Sequence, residues 1–154
     1  GDCAAALLAA IPAAEVHLVD PFEAADAAYF ESLRQLEEYS PEALAARGEK
    51  VRERFRGEPN VTLWQMTSRE ASNQLGVDGP FDLVFIDGDH SYREVSFDLR
   101  AWTAKVRLGG LVVVHDYSGD CPHGEYEVVR AVHDFLPWGA TVHTSLDTLA
   151  WFQA

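Results

Sequence analysis

The chain has 154 residues, of which 47% are apolar and 24% are charged, a composition typical of one soluble globular domain with its own core. Its net charge of −13 argues against nucleic acid as the main partner, because phosphate binding relies on basic surface. No apolar run approaches the roughly 18 residues of a membrane span, no signal segment is recognisable, and the two cysteines fit a reducing compartment. We therefore expect a cytoplasmic protein with a small-molecule partner.

In the first half of the chain, helices and strands alternate. The predicted elements are a helix over residues 4–10, a strand within 15–21, helices within 22–55, a strand over 61–65 and a helix over 68–75. Within the long helical stretch, Ser40-Pro41 marks a helix start, because serine caps helix N-termini and proline is favoured at the first helical position.

The second half continues the alternation. The predicted elements are a strand over residues 81–86, a helix over 91–104, a strand over 111–114, a helix over 126–136 and two strands over 140–145 and 148–152. The apolar stripe of the first of these helices consists of Tyr92, Val95, Leu99, Trp102 and Val106, at spacings of three and four, and Leu108-Gly109-Gly110 ends the pattern.

Strands that alternate with helices predict right-handed crossovers and a mainly parallel sheet. The two closing strands are joined by a tight turn, which predicts an antiparallel edge. The expected fold is therefore α/β: a Rossmann-like, doubly wound, mostly parallel sheet with an antiparallel C-terminal edge strand. We expect residues 1–154 to form a single domain.

Acids and histidines follow two of the apolar strands directly. Residues 83–86 end in Asp87-Gly88-Asp89-His90, and residues 111–114 end in His115-Asp116. In open α/β sheets, ligands bind outside the carboxyl ends of the strands. We therefore expect the chemistry of the protein at this edge.

These two segments, FDLVFIDGDHSY at residues 81–92 and GGLVVVHDY at 109–117, resemble the class I S-adenosylmethionine-dependent methyltransferases, and within them the small O-methyltransferase-type group. The resemblance covers nearly the whole chain. It implies S-adenosyl-L-methionine as the cofactor and O-methylation of a small-molecule hydroxyl, on a sugar, a phenol or a natural product. It does not name the acceptor, and it leaves open whether the chain forms a homo-oligomer.

The start of the chain resembles only the last part of the family's glycine-rich turn. In the family, that turn ends the first strand and approaches the methionine part of the cofactor, a role that the resemblance assigns to Gly1 in Gly1-Asp2-Cys3. The strand before it, central in the sheet, is absent, and its loss would leave two rows of backbone groups unpaired. We therefore expect the domain to be N-terminally incomplete. The alternative is that Gly1 is a cloning remnant.

The resemblance also assigns residues that would bind the rest of the cofactor. Asp20 would accept the ribose hydroxyls, although it could instead cap the segment that begins at Phe22. Ser68 would contact adenine, although Ser68-Arg69-Glu70-Ala71 is also a plausible helix start. The full cofactor set implied is Gly1, Asp20, Pro21, Phe22, Met66, Thr67, Ser68, Asp87 and Gly88.

In metal-dependent relatives, such as the catechol-type and macrolide-sugar enzymes, the cation lies between the acid that ends the fourth strand and an acidic pair that ends the fifth. By resemblance, the metal ligands would be Asp87, His115 and Asp116. Histidine in place of an acid leaves Mg²⁺ open and favours Mn²⁺, Zn²⁺ or Fe²⁺, which accept imidazole. A site without metal also stays open.

The predicted catalytic residues are His90, Asp87 and His115. His90 lies three residues after Asp87, where catechol-type relatives carry a basic residue that takes the acceptor proton, and histidine suits that role near neutral pH. The alternative is a residue of the helix N-terminus, oriented by Asp89 or Ser91. Asp89 could equally cap the helix.

Two other classes of enzyme remain as alternatives. His90 and His115 with one carboxylate contain a two-histidine, one-carboxylate set, which suits Fe²⁺ and a hydroxylase or hydrolase. An NAD(P)-dependent oxidoreductase would share the fold class. The sequence shows no G-x-G-x-x-G, the turn that such enzymes use for the pyrophosphate, but the N-terminal segment that we expect to be missing could contain it.

Overall fold

The structure, a computed structural model, describes residues 2–23, 37–74, 78–118, 125–137, 139–145 and 148–154. The chain divides into two compact units, residues 1–71 and 72–154. The single-domain organisation stays a prediction. Within the described ranges, no helix is long and apolar enough to cross a membrane.

The first unit contains a two-stranded parallel sheet. Its elements are α1 (Asp2–Ala10), β1 (Val16–Val19), a 3₁₀ helix (Glu37–Tyr39), α2 (Pro41–Arg54), β2 (Val61–Trp64) and α3 (Ser68–Ala71). The two strands pair in parallel from Val16↔Val61 to Val19↔Trp64. As predicted, Ser40 caps α2, since its side chain accepts a hydrogen bond from Ala43 N.

The second unit contains a four-stranded sheet. Its elements are β3 (Phe81–Ile86), α4 (Tyr92–Thr103), β4 (Val106–Val114), α5 (Glu125–Phe135), β5 (His143–Thr144) and β6 (Ala150–Gln153). The strand order is β3-β4-β6-β5. The first pair is parallel, and the other two pairs are antiparallel. The closing strands therefore form the antiparallel edge that the sequence predicts.

The core of this unit lies between one face of the sheet and two helices. The buried residues that form it are Ile86, Val112, Val114 and Phe152 from the strands and Val95, Leu99, Val128, Ala131 and Val132 from the helices. Leu99 is completely buried. This packing fixes the positions at which β3 and β4 end.

The predicted start of β4 is wrong, and the helix predicted over residues 68–75 is shorter in the structure, Ser68–Ala71. Val106 belongs to β4 and pairs with Phe81, whereas the spacing of apolar residues placed it on the preceding helix. That helix ends at Thr103, and Lys105 N donates a hydrogen bond to Trp102 O in the turn that follows. A valine three residues past the last helical turn meets the helical period by chance, and the β-branched side chain suits a strand.

Candidate functional site

The parallel pairing of β3 and β4 brings the two acidic segments together. Ile86 and Val114 are the last partners in the register, and His115 N donates a hydrogen bond to Ile86 O at 2.9 Å. The residues that follow, Asp87 after β3 and His115-Asp116 after β4, therefore leave the sheet at the same edge.

Four side chains meet there, as the sequence predicts. His90 Nε2 lies 3.2 Å from Asp116 Oδ2, and His115 Nδ1 lies 3.1 Å from the same oxygen. His115 Nδ1 is also 3.4 Å from Asp87 Oδ1. Two carboxylates and two imidazoles thus form one contact network.

This network has the composition of a cation site. Among the side chains that the structure describes, Asp87, His90 and Asp116 form a set whose ligand atoms lie within 4.8 Å of one another. The geometry therefore groups His90 with the two acids, where the resemblance names His115. His115 Nδ1 lies against both carboxylates but is buried without a properly directed hydrogen bond. The donors fit a divalent cation that accepts both oxygen and nitrogen.

The charge on Asp87 is disfavoured in the folded protein. The surrounding protein raises the pKa of Asp87, and the charge of Asp116 raises it further, while His115 and His90 act in the opposite direction. The side chain nevertheless keeps 45% of its surface exposed, so solvent screens part of this effect. A carboxylate in this position is stabilised by any cation that binds beside it.

The segment between Asp87 and α4 is held by its own side chains. Asp89 Oδ1 accepts a hydrogen bond from Ser91 N at 2.7 Å, and the Ser91 hydroxyl accepts one from Glu94 N at 3.4 Å. Ser91 is therefore the N-cap of α4. Asp89 supports the turn before the helix, which is the local role that the sequence leaves open for it. His90 lies between these two residues.

Gly88 has an unobstructed position in this segment. A Cβ added to Gly88 would meet only Asp98 Oδ2, at 3.8 Å, an ordinary van der Waals distance. Its φ is outside the left-handed region, unlike that of Gly79 or Gly109. Neither packing nor backbone conformation in the described structure therefore requires a glycine at this position.

Sequence reasoning missed three contacts of residues 116 and 117. Thr148 O accepts a hydrogen bond from Tyr117 N at 2.8 Å, and Thr148 Oγ1 lies 3.5 Å from Asp116 Oδ1. The Tyr117 hydroxyl contacts His133 Nε2 at 2.8 Å. No sequence pattern identifies Thr148, because its proximity to Asp116 depends on strand pairing.

The first unit carries the residues assigned to the ribose and the adenine. Asp20 follows β1, and its Oδ1 accepts a hydrogen bond from Phe22 N at 2.7 Å. The carboxylate thus caps the segment that begins at Phe22, which is the alternative role given above, and its second oxygen takes no part in this hydrogen bond. Pro21 O lies 3.5 Å from Gln65 Nε2. Phe22 is buried, with 6% of its surface exposed, against Gly48 of α2.

The segment after β2 contains a capping box. Thr67 Oγ1 accepts a hydrogen bond from Glu70 N at 3.2 Å, and Glu70 Oε2 accepts one from Thr67 N at 2.9 Å. Thr67, not Ser68, therefore caps α3, and the T-x-x-E spacing is the readable signal for it. Met66 and Ser68 are half-buried beside it, and their roles toward adenine stay predictions. Gly1 lies outside the described residues.

An open cavity of about 500 Å³ lies in the first unit. It is lined by Phe22, Glu23, Pro41, Ala45, Glu49, Arg52 and Gln65. Phe22 and Gln65 follow β1 and β2, so the cavity adjoins the carboxyl ends of this small sheet.

Comparison with known proteins identifies one family model, described as a methyltransferase domain, which matches residues 1–117. No curated protein matches the chain. The solved structure of a proposed O-methyltransferase from Klebsiella pneumoniae is 19% identical and has a TM-score of 0.54, with 97% of this chain and 78% of that one covered. This likeness shows the fold, and it confirms the Rossmann-like α/β class predicted from the sequence.

Two further solved structures are less similar. An O-methyltransferase family protein from Burkholderia thailandensis is 16% identical, with a TM-score of 0.49 and coverage of 91% of this chain and 50% of that one. The MycE methyltransferase of the mycinamycin biosynthetic pathway, in complex with Mg and SAH, is 16% identical, with a TM-score of 0.46 and coverage of 92% and 45%. The chain thus spans half the length of these two proteins or less.

Proposed function

We propose that this chain, which belongs to the methyltransferase domain family, transfers a methyl group from S-adenosylmethionine to a hydroxyl group of a small molecule. The observation that carries the proposal is the contact network of Asp87, His90, His115 and Asp116 at the carboxyl ends of β3 and β4. An oxygen acceptor needs a base or a cation beside it, because a hydroxyl must lose its proton as it attacks.

The cofactor supplies the methyl group as a sulfonium, and a divalent cation bound beside it would lower the pKa of the acceptor hydroxyl. The chain itself supplies the base and its support. When Asp116 accepts a hydrogen bond from His90 Nε2, 3.2 Å away, the other ring nitrogen of His90 is the one free to take a proton. Asp116 thereby selects the tautomer and orients the ring. His115 contacts the same oxygen of Asp116 as His90 does and also contacts Asp87, so these two residues complete the donor set.

His90 has two uses in this proposal, and the geometry allows both. It belongs to the set that could hold a cation, and it pairs with Asp116 as a base would. We assign it the role of base, because His115 Nδ1 already faces both carboxylates and is buried without a directed hydrogen bond. The cation would then be held by Asp87, His115 and Asp116.

The cofactor is tested by calorimetry with S-adenosylhomocysteine and a matched pair of variants. Asp20→Asn keeps an oxygen that can accept from Phe22 N but loses the charge that would hold two ribose hydroxyls. We expect wild type to bind, Asp20→Asn to bind at least about tenfold more weakly, as for one lost charge-assisted hydrogen bond, and the exposed control Glu58→Gln to bind like wild type. A wild type without heat of binding at millimolar ligand contradicts the proposal.

The metal is tested separately, by the change in melting temperature on adding Mn²⁺ and on removing it with a chelator. A ligand that binds only the folded state raises stability by about 2.7 kcal/mol at a hundred times its Kd. Asp116→Asn should abolish the Mn²⁺-dependent rise. If Mn²⁺ does not raise the melting temperature of wild type, the methyltransferase would act through a general base without a metal. The family match favours neither the hydroxylase nor the nicotinamide-dependent alternative.

A further inference from the structure

Thr148 holds the end of β4 from a part of the chain that the family match does not include. The match ends at residue 117, and Thr148 lies between β5 and β6. Its carbonyl accepts a hydrogen bond from Tyr117 N at 2.8 Å, and its hydroxyl lies 3.5 Å from Asp116 Oδ1. One residue therefore contacts two consecutive residues at the edge where the site lies.

The contact divides the two oxygens of Asp116 between different partners. Oδ2 lies 3.2 Å from His90 Nε2 and 3.1 Å from His115 Nδ1, whereas Oδ1 is directed to the Thr148 hydroxyl. A donor on Oδ1 restricts rotation of the carboxylate and keeps Oδ2 toward the two imidazoles. Carboxylates in metal sites are usually held in this way by an outer hydrogen bond.

The backbone supports the same conclusion. Asp116 has φ 54° and Thr148 has φ 61°, both in the left-handed region. Aspartate tolerates this conformation, but a β-branched residue there is a genuine outlier. Such strain persists only where the surrounding structure imposes it, and it concentrates at functional sites. A glycine or asparagine at position 148 would relieve the strain, so stability alone does not account for threonine.

We propose that Thr148 is a positioning residue, which orients the carboxylate of Asp116 toward His90 and His115. This inference rests on the proposed function, in which Asp116 orients His90 and helps to hold the cation. It also assigns a role to Thr148, which lies outside the residues of the family match.

The test uses substitutions that separate the hydroxyl from the backbone. Thr148→Val removes the hydroxyl and keeps the branched shape, while Thr148→Ser keeps the hydroxyl. The matched control is Thr144→Val, which changes an exposed threonine of β5. Affinity for Mn²⁺ alone, measured by electron paramagnetic resonance, should fall roughly 10- to 100-fold in Thr148→Val, as for outer-shell partners of metal ligands. Thr148→Ser and Thr144→Val should keep most of the affinity.

A second variant excludes a merely structural role. Thr148→Gly removes both the hydroxyl and the strain, so its melting temperature should equal or exceed that of wild type, while its Mn²⁺ affinity falls as in Thr148→Val. A lower melting temperature with unchanged Mn²⁺ affinity in both variants would overturn the proposal. Thr148→Gly also decides the question if Thr148→Val fails to fold.

Failure of the proposed function is distinguishable from failure of this inference. If wild type binds no Mn²⁺, the metal of the proposed function is contradicted, and the histidine ring signals in a ¹H–¹³C spectrum at one pH decide the positioning role. The signals of His90 and His115 should then move in Thr148→Val and stay in place in Thr144→Val. Ring signals unchanged in Thr148→Val would overturn the inference on this route.

Discussion

Gly88 offers the sharpest test of where the cofactor binds, since its glycine identity has no cause in the described protein structure. An added Cβ would meet only Asp98 Oδ2 at 3.8 Å, and φ is outside the left-handed region. Alanine restricts the unfolded chain, so Gly88→Ala should be neutral or stabilise by about 0.4–1 kcal/mol. For a chain of this length, that raises the melting temperature by about 1–4 °C.

The same substitution should weaken cofactor binding. If the backbone of Gly88 approaches the cofactor, the new methyl group occupies space that the ligand needs, and overpacking of this kind costs about 1–3 kcal/mol. This corresponds to a Kd about 5- to 150-fold weaker. Calorimetry with S-adenosylhomocysteine measures the Kd, and a thermal melt of the same sample measures stability.

Gly110→Ala is the matched control, because the folded protein has no room for a side chain at position 110. A Cβ there would lie 2.5 Å from Val106 Cγ1 and 2.9 Å from Asp82 O. It should destabilise the fold by about 1–3 kcal/mol and leave the Kd of the folded fraction unchanged. If Gly88→Ala binds S-adenosylhomocysteine as wild type does, the assignment of Gly88 to the cofactor is refuted. If Gly88→Ala lowers the melting temperature, the claim that the folded protein has room for a Cβ at this position is refuted.

Three further predictions concern charge and packing. The side-chain and backbone hydrogen bonds of Thr67 lower the pKa of Glu70, so the stability that they contribute is present above its usual value of 4.5 and is lost as pH falls through the lowered one. Glu70→Gln should therefore melt lower than wild type at neutral pH and converge with it in acid; a constant difference contradicts the capping box. Because burial and Asp116 raise the pKa of Asp87, Asp87→Asn should raise the melting temperature at neutral pH without metal and abolish the Mn²⁺ response, whereas a fall would show that the ionised carboxylate is stabilising. Leu99→Ala, at a completely buried position, should cost about 2–5 kcal/mol in urea unfolding, and a loss below about 1 kcal/mol would place Leu99 outside the core.

The sequence predicts the fold well where hydrophobic pattern and capping agree. The bounds of β3 match the predicted residues 81–86, because a continuous apolar run between polar turns leaves little choice. The methyltransferase resemblance is confirmed by the family match. The start of β4 at Val106 is missed, because its position is decided by pairing with Phe81 and not by any local signal.

In the candidate site, too, some contacts follow from the sequence pattern and others depend on tertiary pairing. The meeting of Asp87 with His115 is predictable, because parallel neighbouring strands end at one edge. The contact between His90 Nε2 and Asp116 is harder to predict, because it depends on the conformation of the loop that contains His90. The contribution of Thr148 is not predictable at all. Its left-handed backbone and its contact with Asp116 result from tertiary pairing, which single-sequence patterns do not contain.

Metal preference decides which of the two histidines is the base. Mg²⁺ takes oxygen ligands and retains water, whereas Mn²⁺, and Zn²⁺ more strongly, accept imidazole. If His115 is a ligand beside Asp87 and Asp116, Mn²⁺ should bind more tightly than Mg²⁺ in wild type and lose that advantage in His115→Gln, while His90→Gln keeps it. The reverse pattern would make His90 the ligand and exclude it as the base. Competition of Mg²⁺ against bound Mn²⁺ in the three proteins measures the difference without an acceptor substrate.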